Sequence, residues 1–200
     1  GSGVDVKVGL REGSNNWQVA VDSGLKCAAI QDLVSNCDFI SLLIPDQIMG
    51  EVYSEFIESH LTRGQTLLFS HGYNIHYKLI QPPEYINVIM VAPSGAGTEL
   101  RKQFKINKGI PGLIAIHQDY SGNSFDLALS YSKAIGLTRM GVFESTFKEE
   151  TETDLFGEQA VLTGGIPRLI QNSFKVMVES GYSPIVAWFV SYYEVKLIVD

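Results

Sequence analysis

Residues 39–44 read FISLLI, and Pro45, Asp46 and the segment Gln47–Phe56 follow directly. A continuous apolar run of this length is the mark of a strand buried on both faces, as in a parallel sheet. Pro45 stops the strand, and Asp46 can cap a helix over Gln47–Phe56. The same strand-then-helix sign recurs in both directions. Upstream, Val4–Gly9 is a short β-branched run, followed by a loop and a helix around Trp17–Ser23. Downstream, strands are expected at Gln65–Ser70, Val88–Ala92, Gly112–His117 and Gly141–Phe143, with a helix over Ser124–Ile135. Repeated βα units imply a parallel sheet with helices on both faces. From about Phe147 the strand-like runs disappear. Phe147–Thr163, Pro167–Ser180 and Ser183–Val199 read as helices, punctuated by Gly164-Gly165 and Gly181, with Pro167 suited to a first helical turn. The expected organisation is an α/β domain over 1–146 and a helical domain over 147–200.

The bulk numbers narrow the class. The 200 residues carry a net charge of −7, which argues against a nucleic-acid surface and against a basic membrane-binding face. Hydrophobic content of 45% and charged content of 18% are those of an ordinary globular protein. Cys27 and Cys37 lack metal-site spacing and make no disulfide framework, so a reducing compartment is expected. No apolar run reaches membrane-spanning length, and no signal peptide is expected.

In open α/β sheets, ligands bind beyond the carboxyl ends of the strands. That rule points to the loops Leu10–Trp17, Pro45–Met49, His71–His76 and Pro93–Arg101. The first carries Arg11, Ser14 and Asn16. A cation with two hydrogen-bonding side chains suits the 2′-phosphate of NADP, and equally an ordinary polar surface loop. His71 follows a strand in FSHGYNIHY, where an imidazole can transfer protons or simply cap the turn. His76 is less well placed, and His60 and His117 read as structural. The segment FKEETETDLFGEQAVLTGG, residues 147–165, concentrates Glu149, Glu150, Glu152, Asp154 and Glu158. On a helix, Asp154 and Glu158 share a face with Cβ atoms about 5–6 Å apart. Such a pair repels unless a cation lies between, and hard oxygen ligands suit Mg²⁺. The alternative is a solvated acidic helix start favoured by the helix dipole. Glu194, on an otherwise apolar helix, is either a surface group or a paired functional one.

VGLREGSNNW, FSHGYNIHY, HQDYSGNSFDLALSYSKAIG, FKEETETDLFGEQAVLTGG and EVKLIVD together resemble ketol-acid reductoisomerase, also called acetohydroxy-acid isomeroreductase. The resemblance spans essentially the whole chain. It implies a Rossmann-type NADPH-binding domain and a knotted helical domain, with two Mg²⁺ ions in the active site. The implied reaction converts 2-acetolactate or 2-aceto-2-hydroxybutyrate to 2,3-dihydroxy-3-methyl acids in branched-chain amino-acid biosynthesis. By the same resemblance, Asp154 would bridge both metals, Glu158 would hold one, and Glu194 would serve the second. Arg11, Ser14 and Asn16 would hold the 2′-phosphate. Asp46, Gln47, Ile48, Met49 and Gly97 would line the cofactor, and His71 matches the active-site His. A homo-oligomer is expected, in the cytoplasm or in an organelle for a plant or fungal source.

The chain departs from the family pattern in four places. Val190 stands where the family carries a metal-ligand Glu, and Ser94 stands where it carries an active-site Lys. The Gly-rich phosphate turn does not appear, so the Rossmann sheet is expected to lack its first βα unit. The chain also stops at Asp200, inside the helical domain. These departures suggest a fragment or truncated form, or else a catalytically dead relative acting as a binding or assembly partner.

Overall fold

The computed structural model describes residues 3–199, and they fall into two compact units, Gly1–Thr151 and Glu152–Asp200. The first unit begins with β1 (Lys7–Gly9), α1 (Asn16–Asp22), β2 (Lys26–Ala28) and α2 (Ile30–Val34), with β1 and β2 parallel. A five-stranded sheet follows in the order β3-β4-β5-β6-β7, made of Phe39–Leu42, Thr66–Phe69, Asn87–Pro93, Gly112–Gln118 and Val142–Glu144. Between these strands lie α3 (Asp46–Val52), α4 (Tyr73–His76), α5 (Gly97–Lys105) and α6 (Ser124–Ile135).

Side chains of successive strand residues point to opposite faces, and the core divides accordingly. Leu67, Phe69, Val88 and Met90 pack on one face with Met49, Ile75 and Phe147. Leu68, Ile89 and Val91 pack on the other with Ala128 and Leu137. Helices therefore cover both faces, as the sequence pattern requires. Full burial of side chains such as Phe69 and Leu68 contributes about 1.5–3 kcal/mol each, which makes β4 and β5 the rigid centre of the unit.

Three expectations change. The sheet is not wholly parallel, because β6 runs antiparallel to β5. The excursion through α5 leaves and returns at one end of the sheet: Pro93 pairs with Gly112, and the Ser94 N–H donates to Pro111 O. Hydrophobic periodicity carries no information about strand direction. Second, the FISLLI run is not buried on both faces, since Ser41 is exposed and Leu43 is 63% exposed. Among the described residues β3 pairs only with β4 and forms an edge of its sheet. Third, Asp46 does not cap α3. Pro45 occupies the cap position without a side-chain bond, and the Asp46 carboxylate is engaged elsewhere.

The second unit continues the helix α7 (Phe147–Gly157) and contains α8 (Gly165–Glu179), α9 (Pro184–Trp188) and α10 (Glu194–Val199). The helices expected to be continuous are interrupted by π-helical segments at Glu158–Leu162 and Phe189–Tyr193. The Thr163 N–H donates to Glu158 O and the Glu194 N–H to Phe189 O, each five residues back. Gly164-Gly165 permits the first of these wide turns. A Cβ on Gly164 would lie 1.9 Å from Gln159 O, and one on Gly165 2.3 Å from Ala160 O.

Candidate active site

The site is built on the end of β4. All four strand residues are buried, so the chain leaves the sheet at a fixed point, through Ser70 into His71 and Gly72. His71 Nδ1–H donates to both carboxylate oxygens of Glu150, at 2.9 and 3.1 Å, and the Gly72 N–H donates to Glu150 Oε2 at 2.8 Å. The Glu150 side chain is only 7% exposed, so these donors replace the water it gives up. Glu150 reaches them because the first turn of α7 lies against Gly72. A Cβ at Gly72 would sit 2.5 Å from Thr151 Oγ1 and 2.6 Å from Phe147 O. Phe147 anchors the same turn edge-on against Phe69.

This arrangement sets the chemistry of the imidazole. A carboxylate can only accept, so the proton of the neutral ring is held on Nδ1. The sequence offered His71 as a candidate and named Glu150 only as one charge of an acidic run. The one signal for Glu150 was its place four residues before Asp154, which puts both on one face of α7.

Asp154, Glu158 and Glu194 are all exposed. Among the described residues these three do not gather into one three-ligand group. Glu158 opens one π segment and Glu194 directly follows the other, so a local change of helical phase adjoins each carboxylate. Val190 lies inside the second π segment and offers no donor atom. Carboxylate oxygens are the donors that Mg²⁺ prefers, and waters readily complete its shell. In donor chemistry, Asp154, Glu158 and Glu194 therefore fit that ion.

At the β1–α1 loop, the Ser14 hydroxyl accepts the Asn16 N–H at 3.3 Å, and the loop closes through the Ser14 N–H to Arg11 O. Arg11 is exposed, and its guanidinium has no carboxylate partner among the described residues. Asp46 is half-buried, Gln47 and Ile48 are exposed, and the Met49 side chain is part of the core. Met49 can therefore present only main chain to a ligand. Gly97 is exposed at the first turn of α5. His60 bonds its neighbour Ser59, and the His117 ring stands edge-on to Phe147. His117 is exposed by area, yet partial desolvation of the ring holds its pKa below the ordinary histidine value.

Residues 1–141 match the profile of the acetohydroxy acid isomeroreductase NADPH-binding domain, and residues 147–200 match that of the ketol-acid reductoisomerase C-terminal domain. The chain belongs to the ketol-acid reductoisomerase family. It is 49% identical over 199 residues to the ketol-acid reductoisomerase (NADP(+)) of Methanocaldococcus jannaschii and 50% identical to that of Methanosphaera stadtmanae. Both matches take in 100% of this chain and 60% of the relative, so the chain spans about three-fifths of the length of these ketol-acid reductoisomerases. A solved NADH-preferring ketol-acid reductoisomerase from an uncultured archaeon superposes with a TM-score of 0.92 at 43% identity, over 100% of this chain and 62% of that one. Its likeness covers both the α/β and the helical parts described above. Among the described residues no helix is long and apolar enough to cross a membrane.

Proposed function

We propose that this chain carries the cofactor-binding and metal-binding portion of an NADPH- and Mg²⁺-dependent ketol-acid reductoisomerase acting on 2-acetolactate or 2-aceto-2-hydroxybutyrate in branched-chain amino-acid biosynthesis. The observation that carries the reading is the His71–Glu150–Gly72 cluster at the carboxyl end of β4, with Asp154 one turn further along α7. Asp154, Glu158 and Glu194 would hold the metal. Bound Mg²⁺ supplies Lewis-acid polarisation of neighbouring substrate oxygens. Arg11, Ser14 and Asn16 would hold the 2′-phosphate of NADPH, and the segment from Asp46 to Met49, with Gly97, would line the cofactor.

The overall conversion is an alkyl shift followed by a reduction. In the shift, the substrate's hydroxyl loses a proton as the alkyl group migrates to the adjacent carbonyl carbon, whose oxygen gains one. This half is redox-neutral. In the reduction, the new keto group takes a hydride from NADPH and a proton. His71 Nε2 is suited to accept the hydroxyl proton and return it, because Glu150 fixes the other nitrogen as a donor and stabilises the imidazolium.

Calorimetric Mg²⁺ binding to the chain, with and without Asp154→Asn, tests this reading. Saturable binding that the substitution abolishes is expected, and oxidation of NADPH in the presence of 2-acetolactate is the assay that follows. Absence of saturable Mg²⁺ binding would overturn the metal assignment for this chain. Val190 and Ser94 favour a second reading, a relative that binds without turning over. In a full-length context, activity that appears only with Val190→Glu and Ser94→Lys supports it.

A further inference from the structure

The loops that leave β3 and β4 are joined by one buried side chain. Asn74 is 0% exposed, and its Nδ2 donates to Asp46 Oδ1 at 2.9 Å and to Asp46 O at 3.3 Å. Asp46 begins α3, four residues past the end of β3. Both neighbours are acceptors, so the amide nitrogen must face them. The amide oxygen is thereby turned inward, where it is buried without a hydrogen-bond partner among the described residues. It faces the backbone around Gly50, where an added Cβ would lie 3.9 Å away. The Asn74 main-chain oxygen is occupied as well, accepting from the N–H groups of Leu79 and Ile80. A position that served packing alone would be better filled by an apolar side chain. A buried acceptor left unpaired is retained where the other half of the group performs a task.

That task follows from where Asn74 sits. It lies two residues after Gly72, whose N–H holds Glu150, and three after His71, whose Nδ1 does the same. The intervening backbone is the single turn of α4, fixed by the His76 N–H on Gly72 O. We infer that Asn74 is a positioning residue that transmits the placement of the Asp46 loop to the His71–Gly72–Glu150 cluster. What rests on the loop after β3 is then felt at the imidazole. The inference deepens the proposed function and takes from it only the nature of that occupant, a dinucleotide. The coupling itself needs no cofactor.

The test is made on the isotopically labelled 200-residue chain, reading hydrogen exchange at the Gly72 amide and the ring resonances of His71. Asp46→Ala, which removes the carboxylate acceptor, is expected to speed Gly72 exchange roughly tenfold, the scale of one lost hydrogen bond, and to shift the His71 ring signals. Asp46→Asn keeps a carbonyl acceptor for Asn74 and is expected to leave both readouts near those of the native chain. In an Asn74→Ala background, Asp46→Ala is expected to add nothing. The inference is overturned if Asp46→Ala leaves both signals unchanged, or changes them equally in the Asn74→Ala background. Should Asn74→Ala fail to fold, the contrast between Asp46→Ala and Asp46→Asn still decides the matter. Loss of Mg²⁺ or dinucleotide binding would count against the proposed function and leave this coupling standing.

Discussion

Gly72 is the residue on which the candidate site closes, because the first turn of α7 occupies the space a side chain would need. Gly72→Ala would press its Cβ against Phe147 O and Thr151 Oγ1, of which the first is backbone and cannot swing away. A loss of about 1–3 kcal/mol in urea denaturation is expected. Gly50→Ala is the control: its Cβ would make ordinary contact, 3.6 Å from Leu79 O, inside helix α3, and no loss is expected. His117 gives a pH-dependent outcome. Desolvation beside Phe147 lowers its folded pKa, so the unfolded chain binds the proton more readily. Stability therefore falls as pH drops below about 6.5 and levels off below the folded pKa. His117→Phe removes this contribution, and the drop in Tm between about pH 7.5 and about pH 5.5 should shrink. An unchanged drop would show that His117 has no part in it. At this scale the sequence pointed to His71, Asp154 and Glu158 through residue type and spacing. It did not single out Glu150, which looked like one more charge in an acidic run until the fold brought it to His71.

Helix α6 was legible to the residue, Ser124–Ile135, because its apolar spacing is regular and Gly136, at φ 91°, ends it. The π segments were not legible, since a wide turn inserts one residue into a pattern that otherwise stays helical. The Gly164-Gly165 pair was taken as punctuation between helices, and its tighter role follows from the approach of Gln159 O and Ala160 O. Two substitutions of one kind should therefore have opposite signs. Gly164→Ala cannot be accommodated without rebuilding the π turn, and a loss of about 1–3 kcal/mol in the helical unit is expected. Gly157→Ala meets nothing within 4 Å at a helical φ of −60° and should stabilise by roughly 0.5–1 kcal/mol. Chemical denaturation followed by far-ultraviolet circular dichroism measures both. Equal effects would mean that the glycine pair is only a spacer.

The two units differ in how much they bury. The first holds nearly every fully buried side chain, concentrated on β4 and β5. Among the described residues after Thr151, only Ala187 and Ser191 are buried, while Leu169, Val176, Ile185, Val186 and Leu197 are all more than half exposed. Local stability follows buried apolar contact. In the 200-residue chain, amides of β4 and β5 should exchange only by global opening of their unit. Those of α8 and α9 should exchange faster by about two orders of magnitude or more. Uniform protection across both units, read by mass spectrometry, would contradict this account. A ligand that stabilises the helical unit would slow its exchange in proportion to its occupancy.

By itself, the sequence determined the α/β class, the change to helices near Phe147, the family, and the residue types available for catalysis. Each of these is written in local periodicity and in motifs along the chain. Tertiary structure alone decided the antiparallel return of β6, the edge position of β3, and the partners of Glu150, Asp46 and Asn74. His71 and Glu150 are 79 positions apart, and Asp46 and Asn74 are 28 apart. Pairings over such distances depend on how strands are ordered and where their ends fall, and local pattern does not encode either one.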